Sequence, residues 1–250
     1  MIMCRNRFII FLLAIVVAGM AVIAQTPRKI DYGVDLGFNL GATTPMGLPA
    51  EVRKIDSYSP TANISIGAHA IYWLSPKWGV RVGLAFENKG MKTGIEVRNY
   101  HLSMNIQDGT EEGAKTGYFT GKIRNTSRIT YITLPVNAVF RLGNSWKMEF
   151  GPYFSYALDR AFTGKVSDGE LHETPLHPAI GVNKAYYDYS DDMRRFDVGL
   201  GLGASRSIYR NLSVKATLSW GLISVLNPDT RKIDMNTYNV FLNIGLSYNI

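Results

Sequence analysis

The chain has 250 residues, a length that fits one large domain or two small ones. It carries 27 Lys and Arg residues against 20 Asp and Glu residues, but the surplus is spread out, which argues against nucleic-acid binding. The single cysteine, Cys4, excludes a disulfide framework.

The first 24 residues predict a secretory signal peptide, which leaves a mature domain at 25–250. Arg5 and Arg7 precede the apolar run 8–24, and the small Ala24 closes that run before a polar segment. A membrane anchor is the alternative, because the run approaches the roughly 17 residues that can span a bilayer. Cleavage would also remove Cys4, and with it any cysteine nucleophile or cysteine metal ligand.

Downstream of this leader, apolar residues recur at every second position, which is the period of a β-strand. No segment shows a convincing helical stripe. In the terminal segment the apolar positions alternate with uncharged polar ones, and Phe241 is the one exception. The pattern predicts eight strands, at residues 31–41, 63–73, 78–87, 132–142, 146–158, 196–205, 212–222 and 238–250.

The connections between these strands alternate in length. Three are the tight turns LSPK, GNS and SIYRN, and the others are long loops at 42–60, 88–128, 159–194 and 223–237. Within the second long loop, alternation around 94–106 extends the hairpin. Short turns on one side and long loops on the other are typical of a transmembrane β-barrel. An immunoglobulin-like sandwich also has short alternating strands, but it gives no reason for this separation.

The predicted fold is therefore all-β, an eight-stranded antiparallel up-and-down transmembrane β-barrel. In a bilayer every backbone donor and acceptor needs a partner within the protein, so we expect the last strand to pair with the first. The predicted location is the outer membrane, with extracellular long loops and periplasmic termini. The expected partners are outer-membrane lipid and the barrel-assembly machinery, which would engage the C-terminal strand.

Aromatic side chains gather at both ends of the predicted apolar face, as in the interfacial girdles of membrane barrels. Those at the short-turn ends are Tyr32, Tyr72, Trp78, Phe140, Trp146 and Tyr248. Those at the far ends are Phe38, Phe86, Phe154, Tyr156, Phe196, Trp220 and Tyr238.

The opposite face is rich in Gly, Ser and Asn, with charges of both signs. An eight-stranded barrel is only wide enough to be filled by its own side chains. Because an unpaired buried charge is costly, we expect these charges to pair in a closed lumen. The residues are Asp31, Asp35, Glu87, Glu149 and Asp197 with Arg81, Arg141, Lys147 and Lys215.

Segments 131–143, 150–158, 195–205 and 219–226 resemble successive strands of the PorT-like outer-membrane β-barrel family of Bacteroidota. The Leu-Pro at 134–135, the Gly-Pro-Tyr at 151–153 and the glycine-rich 196–205 are its recurring marks. The resemblance covers essentially the whole mature chain and implies an eight-stranded outer-membrane barrel. The founding member is associated with type IX protein secretion, and the family offers no catalytic motif to carry over. Ile250 departs from the terminal aromatic residue common in outer-membrane barrels, and Tyr248 is the candidate substitute.

Other motifs carry weaker hypotheses. The glycines of 199–205 alternate with leucines inside a predicted strand, whereas a nucleotide-binding loop would open a helix. His69 is predicted to point inward. A solvated loop is favoured over a metal site built from Glu170, His172, Glu173 and His177, so no metal or cofactor is predicted.

Two long-loop clusters could serve recognition or chemistry. Tyr186, Tyr187 and Tyr189 fit a recognition surface, since tyrosine gives contact area at low entropy cost, and equally an extension of the girdle. His101 or His172 with Ser190 and Asp188 supply the residue types of a hydrolytic set, although any polar loop would offer as much.

The predicted function is non-enzymatic, a structural or accessory role in protein secretion or surface assembly. The alternatives are a small-solute pore, a lipid-modifying enzyme at the rim and an adhesin.

Overall fold

The computed structural model describes residues 30–45, 50–174, 178–227 and 236–250, and the predicted leader at 1–24 lies outside them. No helix in these ranges is long and apolar enough to cross a membrane. The described residues form ten strands: β1 (Ile30–Pro45), β2 (Val52–Pro60), β3 (Ile64–Trp73), β4 (Trp78–Gly109), β5 (Gly113–Leu142), β6 (Trp146–His172), β7 (Ile180–Asp188), β8 (Phe196–Tyr209), β9 (Leu212–Gly221) and β10 (Thr237–Asn249).

Strand pairing closes a ring of eight strands. The pairs run from β1 to β10, β9, β8, β6, β5, β4 and β3, and β3 returns to β1. The first and last strands pair antiparallel from Pro45 opposite Thr237 to Gly33 opposite Asn249. This confirms the predicted pairing of the two terminal strands, and the edge of β10 is therefore covered.

The total of eight strands is wrong for the described residues, which form ten. The eight ring strands cover the eight predicted segments except for residues 63, 222 and 250, and β2 and β7 are additional strands within the predicted loops 42–60 and 159–194. Strands β4, β5 and β6 are also 32, 30 and 27 residues long. Since about 9–11 residues suffice to cross a bilayer, most of the predicted loop 88–128 is strand that continues beyond the crossing segment.

A bulge interrupts the alternation of β4 beyond the predicted strand. The register of β4 against β5 shifts between Val97 and Tyr100, and Asn99 there has a φ of 55°. Asparagine tolerates this left-handed conformation better than most residues do. The shift exchanges odd for even positions on the inner face, so Val97 and Leu102 are both buried.

The outer face of β4, β5 and β6 changes from apolar to polar along the strands. Phe86, Ile132 and Tyr156 form one cross-strand row and are 49, 40 and 39% exposed. The next row on the same face is Asn88, Thr130 and Asp159. Below this change the ring carries an exposed apolar belt, and above it the outer surface is polar.

The inner face changes in the opposite sense, from polar to apolar. Above the same level lies a buried apolar cluster that includes Phe119, Ile129 and Phe162. We call this upper part the extension, which consists of β2, β7 and residues 88–109, 113–130 and 159–172. Because β7 pairs with both β6 and the end of β4, its sheet closes around this core. The same strands therefore carry their apolar side chains on the outer face in the belt. In the extension they carry them on the inner face, as an ordinary hydrophobic core.

Candidate functional site in the interior of the ring

Four charged side chains from four strands meet in the ring. Arg81 on β4 donates hydrogen bonds to Asp35 on β1 and to Glu149 on β6. The Lys215 ammonium on β9 lies 3.6 Å from a Glu149 oxygen and 3.9 Å from an Asp35 oxygen. Strands β1, β4, β6 and β9 are each separated by one strand around the ring, so the network draws on all four sides. His69 joins it through a 3.2 Å contact between Nδ1 and Asp35.

A second charged group lies farther along β4. Lys89 is 1% exposed, and its ammonium is 3.2 Å from Glu87. That ammonium also lies over three aromatic rings, 5.5 Å from the centroid of Tyr131, 4.9 Å from that of Tyr153 and 6.0 Å from that of Phe241. Such contacts favour a cation, and they are strongest where water is excluded.

Neutral groups donate to the carboxylates of this layer, although Asp197 Oδ1 is buried without a protein partner. Glu87 accepts hydrogen bonds from Thr133 at 2.7 Å and from Asn39 at 3.1 Å. Asp197 on β8 accepts from Asn239 at 2.9 Å and from Tyr153 at 3.3 Å. The interior is therefore filled in two successive polar layers, and the apolar core of the extension follows them.

A cavity of about 100 Å³ lies between these groups. Four of its lining residues each have a buried polar atom without a protein partner: Asp35 Oδ1, Arg81 Nε, Asn137 Oδ1 and Thr217 Oγ1. A water molecule takes about 30 Å³ of liquid volume, so the cavity has room for about three waters that would satisfy these atoms.

The remaining predicted lumen charges lie near the short turns. The Trp73 indole donates to Asp31 at 2.7 Å, and the Arg141 guanidinium lies 3.9 Å from the centroid of the same indole. Lys147 is half-buried at this end of β6. The structure thus brings Asp35, Arg81, Glu149 and Lys215 into one network, and distributes the other predicted charges over separate contacts.

Sequence reasoning missed Lys89 and gave no role to Phe241. Lys89 continues the inward alternation of Arg81 and Glu87, but the predicted strand ended at Glu87. Phe241 was the exception to the terminal alternation, and it is 1% exposed against Lys89. The sequence contained two signals for this contact: Phe241 breaks the alternation of the terminal segment, and Lys89 continues the inward alternation of β4.

The predicted interface aromatics occupy the outer face of the ring. Tyr72, Trp78, Trp146, Trp220 and Tyr248 are each between 44 and 52% exposed. Phe38, Phe86, Phe154, Tyr156 and Phe196 are between 36 and 67% exposed. Tyr32, Phe140 and Tyr238 are half-buried.

The tyrosine recognition surface needs correction. Tyr187 and Tyr189 are buried, and their rings stack at 4.8 Å in the core of the extension. Alternation along β7 turns Tyr187 inward and leaves Tyr186 half-buried, with Lys184 over its ring at 5.3 Å. Burial raises the pKa of the Tyr187 phenol well above its usual value.

The structure does not assemble the hydrolytic set. Ser190 donates to Asp188 at 2.5 Å and its hydroxyl accepts from the Phe162 amide at 3.0 Å. His172 lies ten residues beyond Phe162 on β6, which corresponds to about 30 Å along the strand. His101 and His172 both pair with Tyr118, so both lie at that distant level.

The candidate metal cluster at Glu170, His172, Glu173 and His177 is only partly within the described residues, because His177 lies outside them. Among the described residues, no group of three or more His, Cys, Asp and Glu side chains could hold a metal ion.

The family comparison decides what kind of ring this is. A family described as the outer membrane protein beta-barrel domain matches residues 23–227. The chain belongs to this family. It is an all-β antiparallel outer-membrane β-barrel protein, and the exposed apolar belt is the surface that such a barrel presents to lipid.

Comparison with solved structures gives low similarity to several outer-membrane proteins. Ail, the attachment invasion locus protein of Yersinia pestis, in complex with the heparin analogue sucrose octasulfate, is 12% identical with a TM-score of 0.39, over 89% of this chain and 100% of that one. The outer membrane protease OmpT from Escherichia coli is 12% identical with a TM-score of 0.37, over 92% and 99% of the two chains. An outer membrane channel from Pseudomonas putida F1 is 10% identical with a TM-score of 0.28, over 90% and 97%. These scores carry no argument about function. The search of curated proteins found no significant match.

Proposed function

We propose that this outer-membrane protein is a sealed, non-enzymatic barrel that acts through its extension as a structural or accessory component. Its orientation would place the extension outside the cell and the short turns in the periplasm, as in membrane barrels generally. The observation that carries the proposal is the interior network in which Arg81 and Lys215 bind Asp35 and Glu149 across the ring.

The network argues against a pore. Arg81, Glu149 and Lys215 have side chains 3, 5 and 13% exposed, so an ion path would have to break contacts between desolvated charges. The Lys89 layer lies above it as a second barrier.

The geometry gives no support to a rim enzyme, since Ser190 lies beside Phe162 of β6 and His172 is ten residues farther along that strand. The extension fits an interaction role better. It has its own apolar core, so it can hold a fixed surface above the membrane.

We assign the chain to the PorT-like branch within the family, with a role in protein secretion or surface assembly. The Leu-Pro motif at 134–135 and the Gly-Pro-Tyr motif at 151–153, which carry that resemblance, are neighbours in the sheet, because Pro135 of β5 pairs with Tyr153 of β6. The secretion role rests on the resemblance alone.

Planar-bilayer recordings test the sealed interior. The purified wild-type protein should give no large stable conductance. The double variant Arg81→Ser, Lys215→Ser should conduct more, because it removes both cations of the network. Large stable conductance from the wild type would favour the pore instead.

Site-specific photo-crosslinking tests the interaction role in cells. A crosslinking amino acid at Glu96, on the outer face of the extension, should give defined protein adducts. The same group at Leu84, in the apolar belt, is the control and should give none. Adducts at neither position would contradict an interaction role for this face.

A further inference from the structure

The outer face of the extension carries a strip of four exposed cations: Lys92 on β4, Arg124 and Arg128 on β5, and Lys165 on β6. Lys92 pairs with Thr126, so Arg124 and Arg128 are its diagonal neighbours, about 7–8 Å away in an antiparallel sheet. Arg124 pairs directly with Lys165. All four side chains therefore lie on one face of three adjacent strands.

These cations have no carboxylate partner among the residues that the structure describes. Within the described ranges none of the four makes an ion pair, although Lys165 lies over the Tyr186 ring at 5.6 Å. Other lysines of the extension are paired: Lys54 with Asp56 at 2.8 Å, Lys115 with Glu111 at 2.7 Å and Lys122 with Asp168 at 3.8 Å. Acidic residues border the strip: Glu96 on β4 is a diagonal neighbour of Arg124, and Asp159 on β6 is a diagonal neighbour of Arg128. Asp188 pairs with Thr163 beside it.

Arg124 and Lys165 are like charges directly opposite each other, an arrangement that destabilises a sheet. The strip would lose this repulsion on contact with an anionic group that neutralises several cations together. Its chemistry therefore favours a partner with closely spaced negative charges.

The height of the strip indicates where that partner lies. Arg128 is four residues beyond Ile132, the last apolar residue of its strand face, which is about 13 Å along the strand. Lys92 is six residues beyond Phe86, about 20 Å along the strand. A tilt of about 35–45° lowers these heights to roughly 10 and 15 Å above the apolar belt. Arg124, eight residues beyond Ile132, and its partner Lys165 stand higher, at roughly 20 Å. The head-group region extends about 5–7 Å beyond the hydrocarbon on each side, and long basic side chains can reach down to it.

We propose that the lower end of this strip, Arg128 and Lys92, binds the phosphates of lipid head groups in the leaflet around the extension. The belt holds the acyl chains, and the cations above it hold the phosphates of the same lipids. The inference deepens the proposed function, since it names what the lipid-facing side of the extension contacts. It rests on the proposed orientation, which determines the leaflet that supplies these lipids.

Native mass spectrometry of the full-length protein in detergent tests this, with diphosphorylated lipid A in mixed micelles as the probe. The test variant is Lys92→Gln, Arg124→Gln, Arg128→Gln, Lys165→Gln. The control variant, Arg53→Gln, Lys54→Gln, Arg98→Gln, Lys115→Gln, has the same change in net charge at extension residues that do not adjoin the strip. Heat-modifiable gel migration checks that both fold, and the pair Lys92→Gln, Arg128→Gln is the milder alternative if the quadruple variant does not.

The wild type should bind diphosphorylated lipid A at least about tenfold more tightly than the test variant, because each basic residue near an anionic surface contributes about fivefold. The control variant should stay within about twofold of the wild type, and dephosphorylated lipid A should bind weakly to all three. Equal loss in both variants, or no loss in either, would overturn the proposal. So would inorganic phosphate binding as tightly as the lipid, or an acidic protein binding the strip with no lipid bound. Neither conductance nor crosslinking enters this measurement, so it can fail independently of the proposed function.

Discussion

Substitution of Arg81 by leucine should destabilise the barrel strongly. The guanidinium is 3% exposed and binds both Asp35 and Glu149. Without it, the two carboxylates share only Lys215, at 3.9 and 3.6 Å, and the network carries a net negative charge. Removing one partner of a buried ion pair typically costs about 3–5 kcal/mol, since the other charge stays buried. We expect a loss of that size in the free energy of unfolding.

The assay is reversible denaturation in lipid vesicles, followed by tryptophan fluorescence and by heat-modifiable migration. The double variant Arg81→Leu, Glu149→Leu restores charge balance and should recover part of the loss, which a double-mutant cycle measures. Arg98→Leu, an exposed arginine on the same strand, is the matched control and should change stability by at most about 0.5 kcal/mol. A loss at Arg81 no larger than at Arg98, or no recovery in the double variant, would refute the reasoning about the network.

Three further predictions concern the two packing regimes. Gly164→Ala should destabilise the extension by about 1–3 kcal/mol, because the added Cβ overlaps a buried tyrosine ring; Gly181→Ala, whose nearest atom would be 3.6 Å away, is the control, and hydrogen exchange of the extension separates them. Burial, with a smaller effect of a nearby carboxylate, raises the pKa of Tyr100 from 10.0 to about 12. The folded extension therefore holds this proton more tightly than the unfolded chain, so its stability should fall as the pH rises from 10 towards 12, and Tyr100→Phe should remove that contribution. Leu218→Arg should cost about 2–4 kcal/mol near the bilayer midplane and Ser219→Thr little; equal tolerance in vesicle denaturation would mean that the faces are misassigned.

The sequence predicts the ring well because the belt imposes a strict period of two. Each crossing segment has lipid on one side and a packed polar interior on the other, so alternation appears in every strand. The terminal segment shows this clearly, since Leu242, Ile244 and Leu246 all face outward.

The extension could not be predicted in the same way, because its pattern changes phase and polarity. Bulges shift the phase near Asn99 in β4 and at Leu158 in β6, which lies unpaired opposite the step between Thr130 and Tyr131 of β5. Past these points the apolar residues face inward, so the rule that identified the crossing strands no longer applies. Tyr187 and Tyr189 became core residues for this reason, although acidic neighbours made them look like surface groups.

The interior was predictable in composition but not in pairing. Alternation places Asp35, Arg81 and Glu149 on the inner face, but which strands meet across the ring depends on the stagger between them. That stagger is a long-range property of the closed sheet, and no single strand contains it. The partners of Lys89 come from β4, β5, β6 and β10, which also explains why its role emerged only from the structure.

Site-directed spin labelling can follow how the surroundings of β5 change from lipid to water along the strand. In a Cys4→Ser background, nitroxides at Leu134, Ile132, Arg128 and Thr126 would sample successive outward positions of β5 in lipid vesicles. We expect high oxygen accessibility at Leu134 and Ile132, and high accessibility to a water-soluble nickel complex at Arg128 and Thr126. The same accessibility profile at all four positions would contradict an apolar belt that ends at the row of Phe86, Ile132 and Tyr156.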